Sequence, residues 1–511
     1  MHSCPAVPRV PLLLVLLALA GISSQADEPE FCVGGIVLNA VTGAPLSRAA
    51  VIIPESAALT DAGGAFRFCR LPAGSYYVSA EKPRFAEAYT RVVIGPSRED
   101  VVLRLQPLSA IAGKVVDANG EPVEHATIQL ISSVVTEGRR HVRLESTVPT
   151  DDRGQYRLAG FLPGRYYVRA AGWEGSTPHP DAHETFAPVY YGGAADISSA
   201  APVTIERGRD LRADFSVDLR PGYRIGGAIA GFSPLLPGKI ELLAAGGEPS
   251  GAPVALDAAT GRFQIDDVAP GRYILRATQG EDRSRRRGEV ALEVTRNTNG
   301  VVVALTGSVV LRGVVRMAAS EAAPPPPNCM IRLSPADVWI WEDAALEAAT
   351  EPSGGFEIEG VLAGRYRLRM DCPNGYLSAV RMGEADLLAN NELSIPPGTA
   401  PPPIEAVLAS NGGTVDVTAT HDGEPGPAWV LLLPASGNEL HTRLAQLNAK
   451  LTLSGLAPGD YLAYAWTGSP EAFEYASPDV REAWAGRAVS VRVGEGDRQS
   501  VALRIASGEA P

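Results

Sequence analysis

Apolar and polar residues alternate in short runs along this chain, and the runs come in pairs separated by a turn. Gly154-Gln-Tyr-Arg-Leu158 alternates, Pro163-Gly164 turns, and Tyr166-Tyr-Val-Arg-Ala170 alternates again. The same order gives Gly355-Phe-Glu-Ile358, a turn at Ala363-Gly364, and Tyr366-Arg-Leu-Arg-Met370. A period of two directs one face to a core and the other to water, which is the signature of half-buried strands. Pro-Gly suits a type II turn, because proline presets φ and glycine accepts φ > 0. No long amphipathic helical pattern interrupts these runs, so an all-β fold is expected.

The paired runs recur. Tyr76, Tyr166, Tyr273, Tyr366 and Tyr461 each follow a glycine by two positions, and follow Phe66, Tyr156, Phe263, Phe356 or Leu451 by ten. Successive tyrosines are 90, 107, 93 and 95 residues apart. Those intervals exceed the roughly 20–50 residues of a solenoid repeat and suit sandwiches of about 100 residues each. A tyrosine just past such a turn can bury its ring and return its hydroxyl to a nearby backbone group, a tyrosine corner. Each unit ends in an alternating strand that runs almost directly into the next, as Val101-Val-Leu-Arg-Leu105 runs into Ile111-Ala-Gly-Lys-Val115. Five β-sandwich domains are therefore expected over residues 27–108, 109–219, 220–306, 307–408 and 409–511, the last degenerate. Connectors so short predict a stiff rod.

The first unit opens Gly35-Ile-Val-Leu-Asn39, then Gly43-Ala-Pro45-Leu46 and Ala49-Ala-Val-Ile-Ile53. The second opens Gly113-Lys-Val-Val-Asp117, then Asn119-Gly120-Glu-Pro122-Val123 and Ala126-Thr-Ile-Gln-Leu130. With a Thr-Asp-x-x-Gly turn at Thr60–Gly64 and Thr150–Gly154 and the glycine–tyrosine corner, these units resemble the carboxypeptidase regulatory-like domain. The resemblance implies a seven-stranded prealbumin-like or Ig-like sandwich, in a superfamily that includes carbohydrate-binding-like modules. It does not imply peptidase activity, since five sandwiches leave no room for a large α/β catalytic domain.

The chain has 511 residues, 53 of them glycine and 42 proline, with 58 acidic against 45 basic residues and a net charge of −13. That balance argues against nonspecific nucleic-acid binding, which needs dense positive charge. The strongest basic cluster, Arg283-Ser-Arg-Arg-Arg287, is expected at a solvated hairpin tip. At the N-terminus an apolar run from Val10 to Ala20 is too short to span a bilayer. It is followed by Ser24-Gln25-Ala26, so residues 1–26 are expected to be a cleaved signal peptide. The chain is then exported, periplasmic or extracellular, with no membrane span. Four cysteines remain after cleavage, and only Cys32–Cys69 with Cys329–Cys372 keeps each bridge inside one unit.

Candidate chemistry is sparse. The sequence lacks His-Glu-x-x-His, Gly-x-Ser-x-Gly, the P-loop and the dinucleotide fingerprint, so neither enzymatic activity nor a cofactor is expected. His421-Asp-Gly-Glu424 has zinc-like spacing but reads as a hairpin turn. Asp117-Ala-Asn-Gly120 and Asp151-Asp-Arg-Gly154 are faintly calcium-like and read as turns. His179-Pro-Asp181-Ala-His183-Glu184 clusters possible ligands with nothing to fix their geometry. The expected function is that of an exported, non-catalytic binding or scaffold protein; the alternative is carbohydrate binding. Sugar rings stack on flat exposed aromatics, and Trp173, Tyr190, Tyr191, Trp339 and Trp341 are the candidates. Polysaccharide or another cell-envelope protein is the expected partner.

Overall fold

The first strand of every repeat is sandwiched between two others, antiparallel to one and parallel to a strand near the end of the same repeat. In the computed structural model, which describes residues 31–95, 100–173, 184–244, 246–281, 284–318, 328–337, 339, 345–373 and 375–506, Phe31–Asn39 pairs in this way with Ala65–Leu71 and Asp100–Leu105. Ser109–Val116 pairs likewise with Gln155–Phe161 and Asp210–Arg212, and Tyr223–Ala230 with Arg262–Val268 and Thr298–Ala304. Val309–Met317 takes Gly355–Val361 and Ile404–Ala409, and Gly413–His421 takes Leu451–Leu456 and Arg498–Arg504. The signal segment expected at 1–26 lies outside the described residues.

A second sheet closes each repeat. In the first it runs Ser56–Leu59, Ala50–Ile53, Gly74–Glu81, Ala88–Ile94. Inward residues of both sheets, such as Val37, Phe66, Val51 and Val78, form one apolar cluster. Two sheets facing across a shared core make a sandwich, and equivalent clusters recur along the rest of the chain. The protein is an all-β tandem array of sandwiches.

The aromatic ten residues before each corner has a specific partner. Phe66, Tyr156, Phe263 and Phe356 stand directly across the ladder from Gly35, Gly113, Gly227 and Gly313. A Cβ on Gly113 would lie 1.8 Å from the Ala213 carbonyl oxygen and 2.9 Å from the Tyr156 ring. On Gly227 it would lie 2.1 Å from the Val301 oxygen and 2.5 Å from the Phe263 ring. The ring thus occupies space that a side chain would otherwise fill, restoring packing that a strand glycine gives up. In the last repeat Leu451 replaces the aromatic, and its ladder partner is Val417 rather than glycine.

Each corner tyrosine donates its hydroxyl to the carbonyl four residues back. Tyr76 reaches Pro72 at 3.1 Å, Tyr166 reaches Leu162 at 3.1 Å and Tyr273 reaches Ala269 at 2.8 Å. Tyr366 reaches Leu362 at 2.9 Å and Tyr461 reaches Ala457 at 2.8 Å. Tyr273 is buried, so Tyr273→Phe leaves a carbonyl without its donor and is expected to lower stability by about 1 kcal/mol. Tyr76→Phe, at a half-exposed corner with a longer bond, is expected to cost less; urea melts of the two variants make the comparison.

The motifs with faint metal spacing are turns. Asp117 Oδ1 accepts from the amides of Asn119 and Glu121, and Asp151 Oδ1 from those of Arg153 and Gln155. His421 pairs with Glu424 across Asp422 and Gly423, whose φ values of 51° and 92° define a two-residue hairpin turn. The disulfides Cys32–Cys69 and Cys329–Cys372 are present. Among the described residues, no helix is long and apolar enough to cross a membrane.

The chain divides into two compact units, Met1–Leu108 and Ser109–Pro511. Within the second, the expected stiff rod is corrected. Repeats there pack on one another, and the second touches the third, fourth and fifth. Short connectors limit bending between neighbours, but they do not prevent a long hairpin from reaching repeats further along. That hairpin, Ala126–Thr136 with Arg139–Pro149, supplies the long-range contacts.

Candidate functional site

Two of the aromatic candidates for stacking are interior. Tyr190 and Trp339 are 1% and 3% exposed, and with Ile131, Val142 and Tyr167 they form one apolar cluster. Neither ring is therefore available for stacking: Trp339, from the fourth repeat, covers the outer sheet face of the second, an association invisible to local alternation. Tyr191 is half-buried, its ring 6.1 Å from that of Phe215. Trp173 ends the strand Gly164–Trp173, with its backbone opposite Ala126. Trp341, and the possible metal ligands His179, Asp181 and His183, lie outside the described residues. Glu184 begins the short strand Glu184–Thr185.

The join between the second and third repeats is built on a buried cation. Arg169 is fully buried, with one guanidinium nitrogen donating to the Gln129 side chain at 3.1 Å and to the Pro249 carbonyl at 2.7 Å. Its other terminal nitrogen lies 3.6 Å from Glu248, itself only 3% exposed. Glu248 also accepts from the Ile197 amide at 2.8 Å. The Arg169 guanidinium sits 5.6 Å from the centre of the Tyr190 ring. Next to this pair, Gly251 adopts φ +76°, and a Cβ there would lie 1.3 Å from the Ala171 carbonyl oxygen. The two backbones meet where only glycine fits.

The hairpin tip of the second repeat is held by the fourth and fifth. Arg139 pairs with Glu439, and Arg140 with Glu474 at 2.7 Å. The Gly138 carbonyl accepts from the Ala476 amide at 2.9 Å, and the Tyr475 ring lies against Gly138. Glu137 lies 3.3 Å from Arg332. Between the fourth and fifth repeats, Glu439 also accepts from Asn391 at 3.0 Å. In the fifth repeat a short helix, Pro478–Trp484, helps cover a sheet, with Phe473 and Trp484 stacked 4.3 Å apart.

Two histidines sit at these joins. His141 Nδ1 lies 3.2 Å from the Asp337 carbonyl, and His441 Nε2 lies 2.7 Å from the Leu377 carbonyl. Burial pushes both imidazoles below their usual pKa, against the pull of those carbonyls. A folded pKa below the unfolded value of about 6.5 means that the unfolded chain binds protons first as pH falls. Stability from these groups is therefore complete above about pH 6.5 and is lost as pH drops through the lowered folded values. His141→Gln with His441→Gln is expected to flatten the pH 5–6.5 limb of a stability profile measured by denaturant melts.

Between the second, third and fourth repeats lies a cavity of about 530 Å³. Arg276, Arg287, Glu289, Asp337, Arg365 and His141 contribute its charged and titratable lining. Arg276 donates to Glu289 at 2.6 Å, and the Asp337 carboxylate stands 3.6 Å from Arg276 and 3.7 Å from Arg365. Arg287 was expected at a solvated hairpin tip. Instead it lies within the strand Arg286–Val294 and is 8% exposed, because its sheet face is turned to neighbouring repeats. Arg283 lies outside the described residues.

The first unit carries a different kind of surface. Tyr77 and Tyr89 are 63% and 73% exposed on the outer face of its four-stranded sheet. Tyr77 pairs with Arg91 and Ser79 with Tyr89, so the two tyrosines are diagonal neighbours on that face. Arg91 is fixed by two hydrogen bonds to Ser75 Oγ, at 3.2 and 3.0 Å. Sequence reasoning passed over both tyrosines. Alternation carried the signal, since the ring after an inward Tyr76 must point outward.

Fold and lining together define an all-β multi-repeat protein rather than a known chemistry. Residues 33–106 and 110–217 match the family model of the carboxypeptidase regulatory-like domain. No curated protein matches the chain. Among solved structures, GBS52, the minor pilin of Streptococcus agalactiae, shares 15% identity over 37% of this chain and 97% of its own, with a TM-score of 0.22. The Bacillus anthracis TIE protein shares 11% over 93% of this chain and 68% of its own, with a TM-score of 0.17. BcpA, the major pilin subunit of Bacillus cereus, shares 10% over 75% of this chain and 99% of its own, with a TM-score of 0.16. At these scores the likeness carries no inference about function.

Proposed function

We propose that this protein is an exported, non-catalytic scaffold that presents five sandwiches, with boundaries near residues 108, 220, 307 and 409. One observation carries the reading: Arg169 and Glu248, a fully buried ion pair, fasten one repeat to the next. Separating the repeats would leave each buried charge without its partner, and Arg169 without its hydrogen bonds to Gln129 and the Pro249 carbonyl, so such a join favours one arrangement over a loose string. The two disulfides support export. Limited proteolysis of the mature protein tests the scaffold: Ser109–Pro511 is expected to resist cleavage as one body. Ready cutting between the second and third repeats in native buffer would overturn it.

A second reading, carbohydrate binding through exposed aromatics, is favoured by Tyr77 and Tyr89. Adjacent rings on a flat sheet, beside serine hydroxyls and a fixed arginine, offer both stacking and hydrogen bonds to a polysaccharide chain. Tyr77→Ala with Tyr89→Ala is expected to abolish retention on a polysaccharide column without moving the melting curve. Unchanged retention, or none by the unaltered protein on any polysaccharide tried, removes this reading and leaves another cell-envelope protein as the partner.

A further inference from the structure

We propose that the outer face of the four-stranded sheet in the first unit is where two copies of this chain pack on each other. The residue three places after an inward corner tyrosine points to the outer sheet face. In the second to fifth repeats that residue is Arg169, Arg276, Arg369 or Tyr464. Each meets a part of the chain beyond its own sheet. Arg169 bonds the Pro249 carbonyl of the third repeat, Arg276 stands 3.6 Å from Asp337 of the fourth, and Arg369 stands 4.0 Å from Glu137 of the second. Tyr464 packs with Phe473 and Trp484. In the first repeat the same position is Ser79, and the face around it is open. Leu59, Tyr77, Tyr89 and Val93 are 62–73% exposed there, and Ile52 stands opposite Ser79. The ladder puts all five on one face.

An apolar patch that crosses four strands exceeds the scattered single residues normal at a surface. The charges on the face select its occupant. Arg91 stands opposite Tyr77, and Glu81 lies four residues further along the same strand, about 13 Å away. Both are exposed. Midway between them runs the row Ile52, Ser79, Tyr89. A two-fold axis parallel to that row, between two facing sheets, reverses the strand direction of the second copy. Each row then packs on its own equivalent, and each Arg91 faces the second copy's Glu81. The face is therefore complementary to itself in charge as well as in apolar surface, as an isologous contact requires. A neutral polysaccharide supplies a counter-charge to neither group.

This inference rests on the scaffold reading and names its partner, yet the two fail separately: proteolysis of Ser109–Pro511 judges the scaffold, and oligomeric state judges the contact. Sedimentation velocity of the mature full-length protein from about 1 to 100 µM is expected to show a monomer–dimer equilibrium of roughly micromolar Kd, as suits one small face. Glu81→Lys sets like charges opposite each other and is expected to weaken the dimer roughly tenfold or more. Arg91→Glu should do the same, and both side chains are exposed, so the monomers should melt like the unaltered protein. Mixed in equal amounts, the two variants should dimerise as well as the unaltered chain, because every facing pair is again opposite in sign. Tyr89→Asp, on the axis, should leave monomers. A monomer throughout that range, a dimer indifferent to Tyr89→Asp, or charge variants that do not rescue each other would overturn the proposal. A monomer retained on a polysaccharide column through Tyr77 and Tyr89 would overturn it too, giving the face to the carbohydrate reading.

Discussion

Arg169→Ala is expected to destabilise the Ser109–Pro511 unit by roughly 3–5 kcal/mol, the usual result of removing one partner from a buried pair. Glu248 would then be a carboxylate at 3% exposure facing no cation, while the Pro249 carbonyl and Gln129 would each lose a donor. The loss should appear as an earlier urea transition, reported by tryptophan emission from Trp339 and its neighbours. Arg169→Met with Glu248→Leu should recover part of it, because apolar replacements need no solvation. Full recovery is not expected, since the Ile197 amide would still lack the Glu248 oxygen. A double-mutant cycle separates these terms. Should Arg169→Ala melt like the unaltered protein, the guanidinium is reached by water and the joint is looser than its geometry implies.

Gly251→Ala is expected to cost roughly 3 kcal/mol or more, from two causes that a control can separate. Its φ of +76° strains any residue with a Cβ, and the added carbon would meet the Ala171 oxygen at 1.3 Å. Gly192 has φ +94°, and nothing lies within 4 Å of where a Cβ would stand, so Gly192→Ala reports strain alone, about 1 kcal/mol. The difference between the two melts is the energy of forcing apart the strand Gly164–Trp173 and the third repeat. Hydrogen exchange should place the added opening at Ala170–Gly172 and Ser250–Ala252. Equal effects at the two glycines would mean that the close approach is easily relieved.

Much of the fold was legible locally. Period-two alternation located the strands, and glycine with tyrosine marked the corners, because those features depend on residues a few positions apart. The aromatic ten residues earlier was also visible, but its purpose was not. Phe66 fills the space over Gly35, across the ladder and 31 positions away, and the pairing of Leu451 with Val417 shows why the last repeat lacks the aromatic. The candidate site was much less legible. Alternation within a strand says that a ring leaves one sheet face, not whether another repeat covers that face, so the burial of Tyr190 and Trp339 was not legible locally.

By itself, then, the sequence determined an all-β chain of repeated sandwiches, the turns that close them and the cysteines that pair, since each follows from short-range sterics, periodicity or counting. Tertiary structure alone decided that the hairpin of the second repeat reaches the fifth, that Arg169 and Glu248 meet 79 residues apart, and that arginines from two repeats line one cavity. Those outcomes depend on which outer faces pack together. Packing between faces is set by shape and charge summed over whole surfaces, and no local pattern of residues records it.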